Sequence, residues 1–115
     1  MNTPLPVITV SASPATLAPP NGRLVTVAVS GAITDGANGS GVQASTYQVT
    51  DEYGQIQPSG NLTLGADGSY AFTVVLAASR DGNDQDGRHY TIAVSANDKA
   101  GNLGMASTLV TVPHG

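Results

Sequence analysis

Short segments in which apolar and polar residues alternate recur along the whole chain, and groups of turn-forming residues separate them. The clearest case lies between Arg23 and Ser30, where Val25, Val27 and Val29 share one face. A period of two residues is typical of a β-strand with one buried face. The sequence therefore predicts an all-β protein.

Turn signals place the boundaries of the predicted strands. Pro14 and Pro19 exclude the segment after the first strand from the interior of a sheet, and Asp67-Gly68 predicts a tight hairpin. The segment from Gly31 to Gly41 is rich in Gly, Asn and Asp, which predicts a loop. The predicted strands are 7–12, 23–30, 42–50, 61–64, 69–77, 89–96 and 103–112, with a short additional piece at 55–57.

Length and composition fit one domain. The chain has 115 residues, enough for one hydrophobic core and too few for two. Val, Thr, Ala, Ser and Gly dominate, whereas the helix-favouring residues Leu, Glu and Lys are scarce. We expect residues 1–115 to be a single domain with its core at 5–113, excised from a larger protein. The predicted core includes Val25, Val27, Val29, Leu62, Leu64, Phe72, Val74, Leu76, Ile92 and Val94.

The charge pattern argues against several classes of partner. The formal net charge is −4, and the four basic residues are scattered, so the surface would repel a nucleic-acid backbone. No apolar run approaches the roughly 20 residues that cross a bilayer, so membrane insertion is not expected. Cysteine is absent, which leaves neither a disulfide nor a thiolate metal site. We expect the isolated domain to be a monomer.

One segment resembles a feature of immunoglobulin-like folds. In Asp86-Gly87-Arg88-His89-Tyr90-Thr91-Ile92, Tyr90 stands where a tyrosine corner places the Tyr that bonds back to nearby backbone. Ile92 occupies the position of the second antibody cysteine. This resemblance implies an immunoglobulin-like antiparallel β-sandwich of seven to eight strands with Greek-key connections, without the antibody disulfide.

A wider resemblance covers nearly the whole chain. The segments 13–21, 87–92, 98–102 and 110–114 are similar to those of hyaline-repeat-like and bacterial immunoglobulin-like domains. Members of that class are modules of exported multidomain proteins. The resemblance implies a secreted or cell-surface location and a non-catalytic role as spacer or interaction module. Its expected partners are neighbouring domains of the parent protein and an extracellular glycan or protein.

Two groups of oxygen-bearing side chains are candidate calcium ligands, because calcium prefers clustered carboxylate, amide and carbonyl oxygens. Asp81, Asp84 and Asp86 lie within one short loop, and Asp98 and Asn102 flank a turn. The spacing does not fit an EF-hand. The alternatives are a solvated hairpin loop for the first group and an Asp that caps its own turn for the second. No other cofactor is predicted.

The remaining function classes have few residues to support them. His89 and His114 have no nucleophile at a recognisable motif, so no enzyme is predicted. An isopeptide bond would need a buried lysine, and Lys99 lies in a predicted turn. Tyr47 and Tyr53 are candidate platforms for a sugar. A carbohydrate- or protein-binding module, with calcium organising the end loops, is the alternative to a spacer.

Overall fold

The structure is a computed structural model that describes residues 6–34, 42–83 and 85–113. Within these ranges it contains seven β-strands and no helix. They form two antiparallel sheets, so the prediction of an all-β chain with seven to eight strands is confirmed. The strands are β1 (Val7–Ser13), β2 (Leu24–Thr34), β3 (Val42–Asp51), β4 (Ser59–Asn61), β5 (Ser69–Ala77), β6 (Arg88–Asp98) and β7 (Leu103–Val112).

The two sheets differ in size and are joined along one side. The first has the strand order β1-β2-β5 and the second β4-β3-β6-β7. After β1, the chain leaves the first sheet and runs parallel to β7, the last strand of the second sheet, where Thr16 pairs with Thr111. Leu17 N donates to Thr111 O at 2.8 Å, and Thr111 N donates to Ala15 O at 3.0 Å. Backbone hydrogen bonds thus connect the sheets where the segment after β1 runs beside β7.

The sandwich is elongated, with extents of 53 × 23 × 18 Å. The carbonyl of Pro6 lies against Gly104, at the start of β7, and Pro113 lies against Gly87, just before β6. Since β6 and β7 are antiparallel, these two contacts are at opposite ends of the molecule. We call the Pro6 end the N-terminal end and the Pro113 end the C-terminal end.

The core lies between the sheets and agrees in part with the predicted one. Six of the ten predicted core residues are buried, whereas Val25, Leu62, Leu64 and Phe72 are partly buried and pack against the core. The sequence-based list omitted Leu17, Ile33, Val49, Tyr70, Tyr90, Val110 and Val112, all of which are buried.

Three predicted segments differ most from the observed strands. β2 continues through Gly31 to Thr34, where a loop was predicted, because Ile33 pairs with β1 and its amide donates to the carbonyl of Gly68 at 2.9 Å. The strand predicted at 61–64 is instead β4, at Ser59–Asn61, which pairs with β3. The piece predicted at 55–57 is not a strand, since the amides of Gln55 and Ile56 bond to the Asp51 carboxylate at the end of β3.

Candidate functional site

A buried ion pair lies at the C-terminal end of the sandwich. Asp51 is the last residue of β3 and Arg88 the first of β6, and strand alternation turns both side chains inward. Their exposed fractions are 3% and 2%. Arg88 Nε donates to Asp51 Oδ1 at 3.0 Å, and Nη2 donates to Oδ2 at 2.5 Å. The pair is bidentate, the strongest geometry for a guanidinium and a carboxylate.

The surrounding backbone bonds to both charged groups. The amides of Tyr53, Gln55 and Ile56 donate to the Asp51 carboxylate at 2.9, 3.1 and 2.8 Å, so the loop after β3 winds around it. Arg88 Nη1 donates to the carbonyl and the hydroxyl of Ser79, both at 3.1 Å. Buried charges stabilise a fold only when their remaining hydrogen-bonding capacity is used in this way.

Two tyrosine rings flank the guanidinium. Its central carbon lies 4.4 Å from the ring centroid of Tyr53 and 4.8 Å from that of Tyr90, within cation–π range. The Tyr90 hydroxyl donates to the carbonyl of Ala77 at 2.8 Å and accepts from its amide at 3.2 Å. Tyr90 therefore links the second sheet to β5, an edge strand of the first. The Tyr90 hydroxyl thus bonds to backbone at the end of β5.

These surroundings hold both groups in their charged forms. Burial raises the pKa of Asp51, but hydrogen bonds from Arg88 and from two backbone amides, with the charge of Arg88, lower it to about 2. Burial lowers the pKa of Arg88, but the hydrogen bond and charge of Asp51 raise it above its usual range. A pair that keeps its charges across the physiological range cannot exchange a proton there. It acts as a structural link between β3, β6 and two loops.

The first predicted calcium group is only partly within the described residues. Asp81 and Asp86 are exposed in the loop between β5 and β6, whereas Asp84 lies outside the described ranges. The amide of Asp81 donates to the hydroxyl of Tyr53 at 2.9 Å, which holds the start of the loop against the tyrosine that stacks on Arg88. Over the described part of the chain, no three acidic or histidine residues are placed together to hold a metal.

The second predicted calcium group lies at the other end of β6. Asp98 is fully buried, and its two carboxylate oxygens accept from the backbone amide of Asn102 at 2.8 Å and from its side-chain amide at 2.9 Å. Gly101, with φ of 89°, completes the turn. The two groups are separated by the length of β6, about 33 Å at 3.3 Å per residue. They cannot share one ion.

We expect no specific binding of calcium, and therefore the same Tm in excess calcium and in excess chelator, to within about 1 °C. A ligand specific for the folded state would raise the Tm. Both oxygens of the Asp98 carboxylate already accept hydrogen bonds within their own turn. Differential scanning calorimetry under both conditions measures the difference. A rise of about 4 °C or more in calcium, lost on Asp86→Asn or on Asp98→Asn, would contradict this and identify the group that binds.

The candidate sugar platforms are engaged within the protein. The ring of Tyr47 stacks on that of Phe72, with centroids 4.2 Å apart and planes at 19°, and Gly60 lies against it. The ring of Tyr53 has Arg88 over one face. Both rings are partly exposed, but each has one face covered by another side chain.

The other candidate residues lie apart from one another. The Nδ1 atom of His89 lies 3.3 Å from Glu52 Oε1, and the same oxygen accepts from the His89 amide at 2.9 Å. Lys99 is exposed in the turn after β6, and His114 lies outside the described residues. The structure thus brings His89 to Glu52 but places Lys99 at the opposite end of β6.

An open cavity of about 360 Å³ also lies at the C-terminal end, and no sequence motif pointed to it. Its walls come from the proline-containing segment after β1, the start of β2 and the residue after β5. Arg23 is the charged residue of the lining, and Pro14, Leu17, Pro19 and Val25 supply apolar surface.

Sequence reasoning also missed the ion pair, although a signal was present. Arg88 shares the inward face of β6 with Tyr90 and Ile92, and Asp51 shares that of β3 with Val49. An Arg and an Asp on two inward faces indicate a buried pair, since an unpaired buried charge would be too costly.

No family model and no curated protein matches the chain. A solved structure, "Putative ApaA Protein from Bordetella pertussis", aligns over 99% of this chain and all of its own, at 15% identity and a TM-score of 0.46. No helix among the described residues is long and apolar enough to cross a membrane.

Proposed function

We propose that this chain is a non-catalytic, immunoglobulin-like spacer module of a secreted or cell-surface bacterial protein. The observation that carries the proposal is the path of the chain. Residue 6 lies against Gly104 and residue 113 against Gly87, at opposite ends of the β6–β7 ladder, so a chain that passes through the sandwich is extended rather than folded back. The extracellular location rests on the resemblance to exported bacterial modules and on Thr- and Ser-rich strands of low charge.

The strand order supports the immunoglobulin-like part of the proposal. β1, β2 and β5 share one sheet, and β3, β6 and β7 share the other, as strands A, B, E and C, F, G do in that fold. β4 lies beside β3 rather than β5, which differs from the constant-type arrangement. The Tyr90 hydroxyl bond to Ala77 adds a tyrosine-corner-like link between the sheets.

The contact between the segment after β1 and the last strand suits a module that bears tension. β1 and β7 run in the same direction, and Thr111 bonds to Ala15 and Leu17 in parallel. A force that separates residues 6 and 113 along the long axis slides these strands past each other. The two hydrogen bonds that join Thr111 to Ala15 and Leu17 are then loaded together rather than opened one at a time.

We expect Thr111→Pro to lower the force at which the domain unfolds when pulled through its termini, because it removes the Thr111 N–H that donates to Ala15. Forced unfolding is governed by the unfolding barrier, so equilibrium stability should change by only about 1 kcal/mol. Single-molecule force spectroscopy measures the first quantity, and urea unfolding the second.

Thr73→Pro is the matched control, because Thr73 is exposed on the β5 edge, away from the two terminal strands. It should leave the unfolding force unchanged. A wild-type domain that extends at no measurable force, or equal forces for all three proteins, would overturn the proposed resistance to tension.

A further inference from the structure

The strand β5 is an edge of the first sheet, and alternate residues along it turn their backbone N–H and C=O groups away from β2. A hydrogen bond at the start of the strand identifies these residues. Just before β5, the Ile33 amide donates to the carbonyl of Gly68 at 2.9 Å, so the even-numbered residues face β2. The odd-numbered residues, from Ser69 to Ala77, therefore face outward.

Internal partners close both ends of this edge and leave its middle open. The carbonyl of Ser69 accepts from the Gly65 amide at 2.8 Å, and the N–H and C=O of Ala77 both bond to the Tyr90 hydroxyl. Between these ends, the outward groups of residues 71–75 make no hydrogen bond to any other described residue. We call residues 71–75 the open β5 edge.

The remaining edge strands are short or covered. β4 has three residues and directly follows Pro58, whereas β7 is bonded through Thr111 to the segment after β1, and β1 lies along β7. Edge strands usually carry an exposed lysine, a proline or a bulge that keeps other chains from pairing with them. β5 has no charged residue and no proline, and its register with β2 is unbroken. Among the described strands, it is the long edge left unprotected.

Only another extended backbone can pair such an edge. Its outward N–H and C=O groups repeat every second residue, about 6.8 Å apart, and a partner strand has the same repeat. With three outward residues, the open β5 edge fits a strand of five residues. The first, third and fifth side chains of an antiparallel partner would lie on the outer face, opposite Val75, Thr73 and Ala71, which are exposed and uncharged.

Apolar side chains lie on the inner side of the open β5 edge. Phe72 is partly exposed, and its ring stacks on that of Tyr47 with centroids 4.2 Å apart, while Val74 is 4% exposed. Because β4 pairs with β3 rather than with β5, none of the described strands lies beside β5 there. The second and fourth side chains of an added strand would lie beside Val74 and Phe72, so they must be apolar.

A carboxylate marks one end of this edge. Asp67 is exposed just before β5, and its Oδ1 accepts from the amide and the hydroxyl of Ser69 at 3.1 and 2.6 Å. Antiparallel pairing, which is the more stable kind per residue, brings the C-terminal end of an added strand toward this carboxylate. A basic residue that follows the five paired positions is therefore complementary to it.

A second folded copy of this chain does not fit the open β5 edge. Two β5 strands set antiparallel about Thr73 would place Ser69 of one opposite Ala77 of the other, where outward groups of both are already bonded. The occupant must instead be able to leave the edge after five residues, as an unfolded segment can.

We infer that the open β5 edge binds an extended segment of another polypeptide as an additional antiparallel strand. The segment has apolar side chains at its second and fourth positions and a basic residue after its fifth. Main-chain hydrogen bonds to an exposed edge supply affinity in this mode of recognition, and the alternate side chains supply specificity.

A synthetic peptide tests the pairing and its register. The probe is an acetylated, amidated hexapeptide with threonine at positions one, three and five, valine at two and four, and lysine at six. In NMR titrations of the isotope-labelled domain, we expect saturable downfield shifts of the amide protons of Ala71, Thr73 and Val75, with a Kd of about 1 mM or less. N-methylation at position three, which removes the N–H that donates to Thr73, should weaken binding at least about tenfold. N-methylation at position four, whose N–H points away from β5, is the matched control and should be tolerated.

Two variants of the domain test the same edge from the protein side. Thr73→Pro removes an outward N–H and places a ring on the open β5 edge, so binding of the hexapeptide should weaken at least about tenfold. Thr73→Val keeps the N–H and the shape of the side chain and should bind as the wild type does. The N-methylated peptides leave the domain unchanged, so they test the inference even if Thr73→Pro does not fold.

Hydrogen exchange of the free domain tests whether the edge is open. The amides of Ala71, Thr73 and Val75 should exchange at least about tenfold faster than those of Phe72 and Val74, and should slow when the hexapeptide binds. Equal protection in the free domain, no saturable shift up to about 10 mM hexapeptide, or equal binding of the two N-methylated peptides would overturn the inference. Protection that rises with domain concentration alone would identify a second copy as the occupant and would overturn it as well. None of these outcomes bears on the spacer role, which the force measurement tests separately.

Discussion

Replacing Asp51 with Asn is expected to lower the free energy of unfolding by about 3–5 kcal/mol, because it leaves a buried guanidinium without its counter-charge. Arg88 is 2% exposed and has Asp51 as its ion-pair partner. The three amides that now donate to a carboxylate would share a neutral amide group with one oxygen. Urea unfolding at pH 7 measures the loss. Asp81→Asn, at an exposed carboxylate of the same end, should leave the midpoint unchanged.

The pH dependence of stability separates loss of the ion pair from a general disturbance of the loop. The pKa of Asp51 is about 2 in the folded protein, against an ordinary value of 3.8. A lowered folded pKa gives stability that is present above the unfolded pKa and is lost as the pH falls through the folded one. The wild type should therefore lose about 2 kcal/mol between pH 4 and pH 2 through this group.

Asp51→Asn should lack that component of the profile. Parallel stability curves for the two proteins between pH 5 and pH 2 would show that Asp51 is not paired in the folded state. If Asp51→Asn is too unstable to measure at low pH, the two stability curves can be compared down to the lowest pH at which both proteins remain folded.

Local sequence pattern predicted the strands best where alternation was complete and a turn signal flanked it. β5 and β7 were predicted with their observed bounds, because Asp67-Gly68 precedes the first and the Asp98 turn precedes the second. β2 was cut short because Gly31 opens a run that looks like a loop. Whether a strand continues through a glycine depends on the strand that pairs with it. Here that strand is β1, and the local sequence around Gly31 does not specify the pairing.

The candidate site shows the same division between local and distant partners. Asp98 and Asn102 were grouped from their spacing and do contact each other, since a four-residue turn brings them together. Asp51 and Arg88 are 37 residues apart and meet only because β3 and β6 pair within one sheet. Turn chemistry is therefore available from the sequence alone, whereas a buried ion pair requires the strand order.

Gly31→Ala is expected to destabilise the protein by about 2–4 kcal/mol, the sum of overpacking and a lost buried hydrogen bond. A Cβ at Gly31 would lie 1.9 Å from the carbonyl oxygen of Thr9 and 2.8 Å from the hydroxyl of Tyr70. That hydroxyl reaches across Gly31 to donate to the Thr9 carbonyl at 2.7 Å, so the methyl group must displace β1 or the tyrosine. Gly82→Ala, where a Cβ meets nothing within 4 Å, is the matched control.

The same variant has a spectroscopic signature. Burial raises the pKa of Tyr70 to about 12, so its ring ionises well after an exposed tyrosine. Displacing the ring in Gly31→Ala should expose the hydroxyl and move its ionisation toward the ordinary value of 10.0, which absorbance at alkaline pH detects. If Gly31→Ala matched Gly82→Ala in both unfolding and tyrosine titration, β1 would have to lie farther from β2 than this packing places it. A loss of stability with an unchanged titration would instead mean that β1 alone has moved.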